Sequence, residues 1–247
     1  MFGVFNGRET GVFPDWKTVH PLINKFPGAR FKKFKTREEA QYFADTNKEL
    51  GAVVEEETLQ NLEELERQLR RAYHIFTDGA FSSKTKRSGV GVTYSEPFRG
   101  LGVSKRLPDN TTNQSAELTG IVMALKELHQ NSELVSAIQQ HYKGLAIIWT
   151  DSDYSIKCIT QHIKRWMKNG WKTVSGGDVK NQEAIKTAHK LYNEINSAKK
   201  IQVEFHHISE VGLKSHDGRP SDDLPEIVHI VWEGNDAADN YATKARE

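Results

Sequence analysis

The chain has 247 residues, of which 37% are hydrophobic and 27% charged, and its formal net charge is +1. This size allows one large domain or two unequal ones. The only cysteine is Cys158, which excludes an internal disulfide and a cysteine-rich zinc site. The sequence shows neither a run of 18 apolar residues nor a signal-peptide pattern. We therefore expect an intracellular protein, cytoplasmic by default, with a nuclear or organellar location left open.

Charge is distributed unevenly along the chain. Residues 1–46 hold eight Lys or Arg against five Asp or Glu, residues 47–70 hold three against seven, and residues 71–247 hold 23 against 21. This alternation suggests two working modules joined by a solvated spacer. We expect domains at 1–46 and 71–247, with an acidic, helical linker at 47–70.

Residues 1–46 predict a small ββαβα unit. Short apolar runs at Phe2–Phe5 and Gly11–Phe13 precede a helix that Asp15 would cap. The run ARFKKFK predicts a strand. Thr36 and Glu39 then predict a capping box at the start of a second helix.

GRETGVF, the tryptophan three residues later and FPGARFKKFKTREEAQYF together resemble the viroplasmin-like hybrid-binding domain. That domain precedes the nuclease in many eukaryotic-type ribonucleases H. The resemblance spans nearly all of residues 1–46 and implies binding to an RNA–DNA duplex. It implies that Phe2 and Trp16 pack on the DNA strand and that Lys32 and Lys33 contact phosphates. Core phenylalanines and solvated lysines explain ARFKKFK about as well, and Trp16 could equally be a core residue.

Residues 71–247 predict the order βββαβααβα, which implies a mixed sheet with helices on its faces. The predicted strands are 73–77, 89–94, 101–107, 145–150 and 201–208. The predicted helices are 114–128 with Asn113 as its cap, 154–168, 179–197 and, after an irregular stretch, a final helix from about Asn235.

Four acidic residues stand in distinctive local settings in this module: Asp78, Glu117, Asp151 and Asp239. Asp78 and Asp151 are predicted to end apolar strands, and the other two are predicted to lie on amphipathic helices. Carboxylates delivered to one place suit a pair of hard divalent cations, which could cleave a phosphodiester. One such residue alone could be a turn or cap residue, but four together favour a site.

The motifs TDGAF, TNQSAEL, WTDSDY and GNDAADNYA look like type 1 ribonuclease H over about residues 72–246. The resemblance implies the ribonuclease H-like α/β fold, a mixed five-stranded sheet flanked by helices. It places the catalytic, metal-binding quartet at Asp78, Glu117, Asp151 and Asp239. It implies an endoribonuclease that cuts the RNA strand of RNA–DNA hybrids with two Mg²⁺ ions, which Mn²⁺ could replace. The expected ends are 5′-phosphate and 3′-hydroxyl, and the expected partner is the hybrid, with no membrane and no obligate protein partner.

Two neighbouring acids are assigned other roles. Asp153 would lie in the first turn of a helix, where the helix dipole favours an acid. Asp236 shares a helix face with Asp239, but the GNxxADxxA pattern favours Asp239 and leaves Asp236 as a cap.

The same resemblance implies residues that hold the substrate. Asn113 and Gln114 would act near the 2′-hydroxyls of the minor groove, and Thr112 and Asn181 would grip a DNA phosphate. Asn110 stands where cellular members often have arginine, so the grip on the DNA strand would be weaker or redistributed.

The segment HIKRWMKNGWKTVSGGDVKNQEA resembles the family's basic protrusion. We expect Trp166 to anchor this helix on the core while the basic residues contact the substrate. These residues are Lys164, Arg165, Lys168 and Lys172.

The family's mobile loop histidine has two candidates. His216 lies in a motif like the family's GHxG and is the first choice, whereas His229 lies ten residues before Asp239. His206 and His207 alternate on a predicted strand, so one of them should face the core. A zinc site built from these histidines is disfavoured because there are no clustered cysteines.

Two other functions compete with this hypothesis. A hybrid-binding protein with a degenerate nuclease half is disfavoured because all four carboxylates are present. A DNA-cutting or DNA-joining relative such as an integrase or resolvase is disfavoured by the hybrid-binding module and by TNQSAEL.

Overall fold

A computed structural model describes residues 1–46, 56–214 and 218–247 of the chain. The chain divides into two compact units, Met1–Leu59 and Gln60–Glu247. Part of the predicted linker and the candidate His216 lie outside the described residues.

The first unit is a three-stranded antiparallel sheet with two helices, and it has the predicted ββαβα order. Its elements are β1 (Phe2–Asn6), β2 (Gly11–Phe13), α1 (Trp16–Ile23), β3 (Arg30–Lys33) and α2 (Arg37–Thr46). Both predicted helix starts are confirmed. The Asp15 carboxylate accepts a hydrogen bond from the Thr18 amide at 2.9 Å, and Thr36 and Glu39 exchange the two bonds of a capping box.

The second unit has five strands and a set of flanking helices. After α3 (Glu56–Leu69), which covers the second half of the predicted spacer, its strands are β4 (Tyr73–Phe81), β5 (Ser88–Tyr94), β6 (Val103–Arg106), β7 (Leu145–Thr150) and β8 (Gln202–His207). Its helices are α4 (Asn113–Gln130), α5 (Ser132–His141), α6 (Asp153–Lys157), α7 (Ile163–Lys168), α8 (Gln182–Ser197) and α9 (Glu226–Arg246).

The sheet order is β6-β5-β4-β7-β8, with β4, β7 and β8 parallel and the other two pairings antiparallel. This confirms the predicted mixed five-stranded sheet. Helix α4 packs on one face of β4 and β5, and α9 packs on the other. The core of the α4 face is apolar, with large buried side chains such as Ile75, Leu118 and Leu125. Among the described residues, no helix combines the length and apolar character that crossing a membrane requires.

Several predicted element boundaries are wrong. Strand β4 continues three residues past Asp78, so Asp78 lies inside the strand instead of ending it. Helix α4 is capped by Thr112, whose hydroxyl oxygen accepts from the Ser115 amide at 3.2 Å, and Asn113 is its first residue. Helix α9 begins at Glu226, nine residues before the predicted start.

Three further differences concern helices. Helix α5 was not predicted; Asn131 caps it, and Leu134 and Ile138 bury one face. The predicted helix 154–168 contains a wide π turn at Cys158–His162. Helix α8 begins at Gln182, three residues later than predicted.

Candidate active site

Asp78 lies at the centre of the site because Gly91 lets α9 approach β5 and Gly79 lets α4 approach β4. It pairs with Gly91 of β5, and a β-carbon on Gly91 would lie 2.8 Å from the backbone nitrogen of Ala242 and would overlap the carbonyl of Ala238. The backbone of α9 therefore passes directly over this pair of residues. As a result, Asp239, on α9, lies close enough to Asp78 for its negative charge to raise the pKa of the Asp78 carboxyl.

Glu117 reaches the site by a similar close approach on the other face of the sheet. A β-carbon on Gly79 would lie 2.7 Å from the carbonyl carbon of Ala116 and would overlap the amide nitrogen of Glu117. The Glu117 side chain is buried, with one oxygen 3.4 Å from the Asn113 amide nitrogen and the other without a hydrogen-bond partner among the described residues.

Asp151 follows directly after β7, which runs parallel to β4. The pairing of Phe76 with Trp149, extended by two residues, places Asp151 beside Asp78. Asp78, Glu117 and Asp151 each offer a carboxylate oxygen within 4.8 Å of the other two. The fold therefore brings three of the predicted residues into one cluster, with Asp239 as a charged neighbour of Asp78.

The environment of the cluster opposes negative charge. Burial, followed by repulsion from Asp151 and Asp239, raises the pKa of Asp78 to about 7. Burial, followed by repulsion from Asp78 and Asp151, raises the pKa of Glu117 well above its usual value. Ionised carboxylates in such a place require a compensating cation. An all-oxygen donor set with one buried, unpartnered oxygen fits a hard divalent cation.

The neighbouring acids lie apart from the cluster. Asp153 is exposed in the first turn of α6, as predicted, and its carboxylate lies 2.5 Å from the Lys157 amine. Asp236 is exposed inside α9, where its carboxylate accepts from the Asn240 side chain at 3.0 Å. The prediction that Asp236 caps the last helix is wrong, because that helix begins three turns earlier.

Of the described histidines, His206 and His207 lie on the predicted strand, whereas His229 differs from its predicted place. His229 lies within α9 instead of in a loop. The ring of His206 packs on Trp149 at a centroid distance of 5.1 Å, and its Nδ1 lies 2.7 Å from the Glu210 carboxylate. His207, which no motif assigned to the site, places its Nε2 2.9 Å from the main-chain oxygen of Asp151.

The predicted substrate-binding residues of this unit lie at two helix starts. Thr112, Asn113 and Gln114 are exposed at the beginning of α4, which also carries Glu117. Asn181 precedes α8 with a left-handed φ of +59°. Asn110 is also left-handed, with φ of +65°, a conformation that asparagine tolerates better than most residues.

The segment predicted as a basic protrusion has a buried tryptophan and exposed cations. Trp166 is 6% exposed and packs beside Trp171, at a centroid distance of 6.0 Å, so it anchors the helix as predicted. The four predicted basic residues are exposed, and the Lys172 amine lies 2.6 Å from Asp178.

In the first unit, three aromatic rings form an exposed cluster. Trp16 is 46% exposed and lies 5.7 Å from the ring of Phe2 and 5.5 Å from that of Phe31. Lys33 pairs with Phe2 across the strands, and its amine lies 6.0 Å from the Phe2 ring. Lys32 is exposed on the same strand. The alternatives of a core Trp16 and a core Phe31 are therefore wrong.

This sheet order, with carboxylates where β4, β7, α4 and α9 meet, defines an α/β protein of the ribonuclease H-like class. The family model described as RNase H matches residues 70–247, and the model described as Ribonuclease H1 N-terminal domain matches residues 1–44. The chain belongs to the ribonuclease H family. This confirms the predicted family, fold and enzyme class, a ribonuclease H nuclease.

Individual relatives agree with this placement. The chain is 31% identical over 232 residues to Ribonuclease H1 of Mus musculus, covering 74% of this chain and 75% of the relative. It is 32% identical over 225 residues to Ribonuclease H1 of Rattus norvegicus, covering 74% and 75%. Among solved structures, the solution structure of the PFV RNase H domain matches with 21% identity and a TM-score of 0.47, covering 71% of this chain and 95% of that one.

Proposed function

We propose that residues 71–247 form an endoribonuclease domain that hydrolyses the RNA strand of RNA–DNA hybrids. The ligands for two Mg²⁺ ions, which Mn²⁺ could replace, would be Asp78, Glu117, Asp151 and Asp239. The observation that supports this most strongly is the approach of three carboxylates to within 4.8 Å in a buried setting. When bound, the ions would supply an activated water and stabilise the leaving oxygen, giving 5′-phosphate and 3′-hydroxyl ends.

The protein's own part is to hold the four carboxylates in place. Asp78 has Asp151 and Asp239 as charged neighbours and lies on the strand between α4 and α9. This central position suits a ligand shared by both ions. Asn113 restrains one oxygen of Glu117 and leaves the other available. The buried β-strand setting limits side-chain motion, so the donor set is organised before the ions arrive.

Recognition of the two strands would use the start of α4 and the region before α8. Asn113, whose side chain lies beside Glu117, and Gln114 would supply amide donors and acceptors to a 2′-hydroxyl, which distinguishes RNA from DNA. Thr112 and Asn181 would bind a phosphate of the DNA strand. Of the loop histidines, His216 remains the proposed helper in proton transfer or product release.

The first unit would capture the hybrid independently of its sequence. We propose residues 1–46 as the hybrid-binding domain and 47–70 as the linker. The exposed ring of Trp16 and the half-buried ring of Phe2 beside it would pack on the DNA strand, while Lys32 and Lys33 would contact phosphates.

The decisive experiment compares cleavage of labelled hybrid, DNA duplex and RNA duplex by the whole chain in Mg²⁺. We expect cleavage of the hybrid alone, in its RNA strand, with products that a polymerase can extend from their 3′-hydroxyls. Asp78→Asn should abolish cleavage and leave hybrid affinity nearly unchanged, whereas Asp153→Asn, which alters an exposed acid bonded to Lys157, should cleave normally. Binding without cleavage by the wild type would support the degenerate alternative, and cleavage of the DNA duplex would support the integrase-like one.

A further inference from the structure

The main chain of Asp151 lies one residue beyond the strand pairings that support β7. On one side, β7 pairs with β8 as far as Thr150 and His207. On the other, it pairs with β4 only as far as Trp149 and Phe76. The chain after His207 turns into a short 3₁₀ helix, Ile208–Val211, so the backbone of β8 does not continue beside Asp151.

Beyond the last β7–β8 pair, the side chain of His207 contacts the main chain that follows β7. Its Nε2 lies 2.9 Å from the main-chain oxygen of Asp151. Its Nδ1 accepts a hydrogen bond from the Ser209 amide at 3.1 Å. Because Nδ1 is the acceptor, the neutral ring carries its proton on Nε2 and donates it to the Asp151 carbonyl.

The imidazole is itself held firmly. The His207 amide donates to the Glu210 carboxylate at 2.9 Å, and the Ser209 hydroxyl lies 2.7 Å from Nδ1. The other oxygen of Glu210 lies 2.7 Å from the ring of His206, which packs on Trp149 of β7. The 3₁₀ turn and the end of β7 are therefore tied together on both sides of His207.

We propose that His207 is a positioning residue that fixes the main chain of Asp151 and thereby keeps its carboxylate within reach of Asp78 and Glu117. This inference rests on the proposed role of Asp151 as a metal ligand. The main chain of Asp151 lies outside the strand pairing, so the pairing does not fix the direction of its side chain. The hydrogen bond from His207 to the Asp151 carbonyl supplies that restraint. Removing such an outer hydrogen bond typically costs about 10–100-fold in metal affinity or activity.

Two polar substitutions separate the two hydrogen bonds of the ring. In His207→Gln the side-chain amide reaches the position of Nε2 and can still donate to the Asp151 carbonyl. In His207→Asn it reaches only the position of Nδ1, so the bond to Ser209 can persist while the one to Asp151 is lost. Both variants keep a polar side chain at a half-buried position, and thermal unfolding of each checks that the fold is retained.

The measurements are Mn²⁺ binding to the substrate-free protein by calorimetry, and kcat and KM for hybrid cleavage in Mg²⁺. For His207→Asn we expect Mn²⁺ affinity and kcat to fall by about 10-fold or more, with KM within twofold of the wild type. His207→Gln should stay within about threefold in all three quantities. A role confined to general stability would lower the unfolding temperature of both variants and leave Mn²⁺ affinity unchanged.

Unchanged Mn²⁺ affinity in His207→Asn, or equal damage in His207→Gln, would overturn the proposal. Asp151→Asn in the same assays separates this outcome from failure of the proposed function. If Asp151→Asn still cleaves the hybrid, the metal-ligand assignment itself is wrong. If it is inactive while His207→Asn behaves as the wild type, only the role of His207 is wrong.

Discussion

Gly79 and Glu117 meet so closely that a side chain on Gly79 would overlap the amide nitrogen of Glu117. This approach lets the first turns of α4 rest directly on β4, and it places the carboxylates of Glu117 and Asp78 in one cluster. The packing of α4 on β4 and the assembly of the carboxylate cluster therefore depend on the same contact.

Replacing Gly79 by alanine should damage stability and activity together. The added methyl group would meet backbone atoms, so strand or helix must move, at a cost of about 1–3 kcal/mol in the free energy of unfolding. Urea unfolding and kcat measure the two effects. Gly100→Ala is the control, because a β-carbon there meets no atom within 4 Å and we expect both quantities to be nearly unchanged. Normal kcat in a destabilised Gly79→Ala protein would show that the site tolerates movement of α4.

Asp78→Asn should stabilise the metal-free protein. The folded-state pKa of Asp78 is raised from 3.8 to about 7, so ionising it costs stability above pH 7, and this cost disappears as the pH falls towards 4. In EDTA at pH 8 we expect a gain of roughly 1–3 kcal/mol in the variant, shrinking on acidification. Thermal unfolding across this pH range measures it. Added Mg²⁺ should stabilise the wild type more than the variant, and equal stabilisation would argue against Asp78 as a ligand.

Asp239 and Asp236 should differ sharply although they share one helix. Asp239 is a charged neighbour of Asp78, whereas the Asp236 carboxylate is exposed and accepts a hydrogen bond from Asn240. We expect Asp239→Asn to lower kcat by at least about 100-fold, a barrier increase of about 3 kcal/mol, and Asp236→Asn to change it less than about threefold. Steady-state cleavage of a hybrid measures both. The reverse order would reassign the fourth ligand to Asp236.

Lys32 and Lys33 should contribute to binding through phosphate contacts. Each contact releases counterions, so replacing both lysines by glutamine should reduce the slope of log Kd against log salt concentration by about two. Fluorescence anisotropy with Asp78→Asn as the background measures binding without cleavage. Lys25→Gln removes one exposed cation outside the proposed contact set and should change the slope by less. A slope unaffected by the double substitution would place the lysines away from the duplex.

His74 should make the protein acid-sensitive. Its ring accepts a hydrogen bond from Trp149 Nε1 at 2.9 Å, and burial lowers its pKa from 6.5 to about 4. The unfolded chain therefore binds a proton between pH 6.5 and 4 while the folded protein does not, so stability falls as the pH drops through this window. The loss attributable to His74 approaches about 3 kcal/mol below pH 4.

The measurement compares urea unfolding of the wild type and His74→Asn in EDTA at several pH values. The side-chain oxygen of asparagine can occupy the position of Nδ1 and accept from Trp149, but it does not titrate, so the difference between the two proteins isolates the histidine. The free energy of unfolding of the wild type, relative to that of the variant, should fall as the solution is acidified from pH 7. A difference that is independent of pH would contradict the assigned protonation.

The sequence predicted the site better than it predicted the elements that carry the site. Asp78, Glu117 and Asp151 stand in recognisable motifs, and the fold brings them together. The start of α9 was missed because Gly234 reads as a helix breaker in a sequence. In the fold that glycine is required, since a β-carbon there would overlap the ring of Phe76. A tertiary contact of this kind leaves no local signal.

Two smaller errors have equally physical origins. Thr112 and Asn113 are adjacent and both residue types can cap a helix; in the fold Thr112 is the cap, and Asn113 lies in the first turn with its side chain beside Glu117 one turn further along. The role inferred for His207 depends on β8 ending beside the turn that carries Asp151. Strand order is a long-range property, so the residue pattern around His207 could not disclose this neighbour.

The length of α9 affects which insertions and deletions this enzyme can tolerate. Asp239 lies roughly three and a half turns from the start of α9, and Ile227, Val228 and Val231 bury the intervening stretch. Because a helix of this length is rigid and packs on the core, changes in the chain before Glu226 should not move Asp239. Insertions and deletions between the 3₁₀ turn and α9 can therefore accumulate, and can add new contacts to substrates, without shifting the carboxylate that the helix carries.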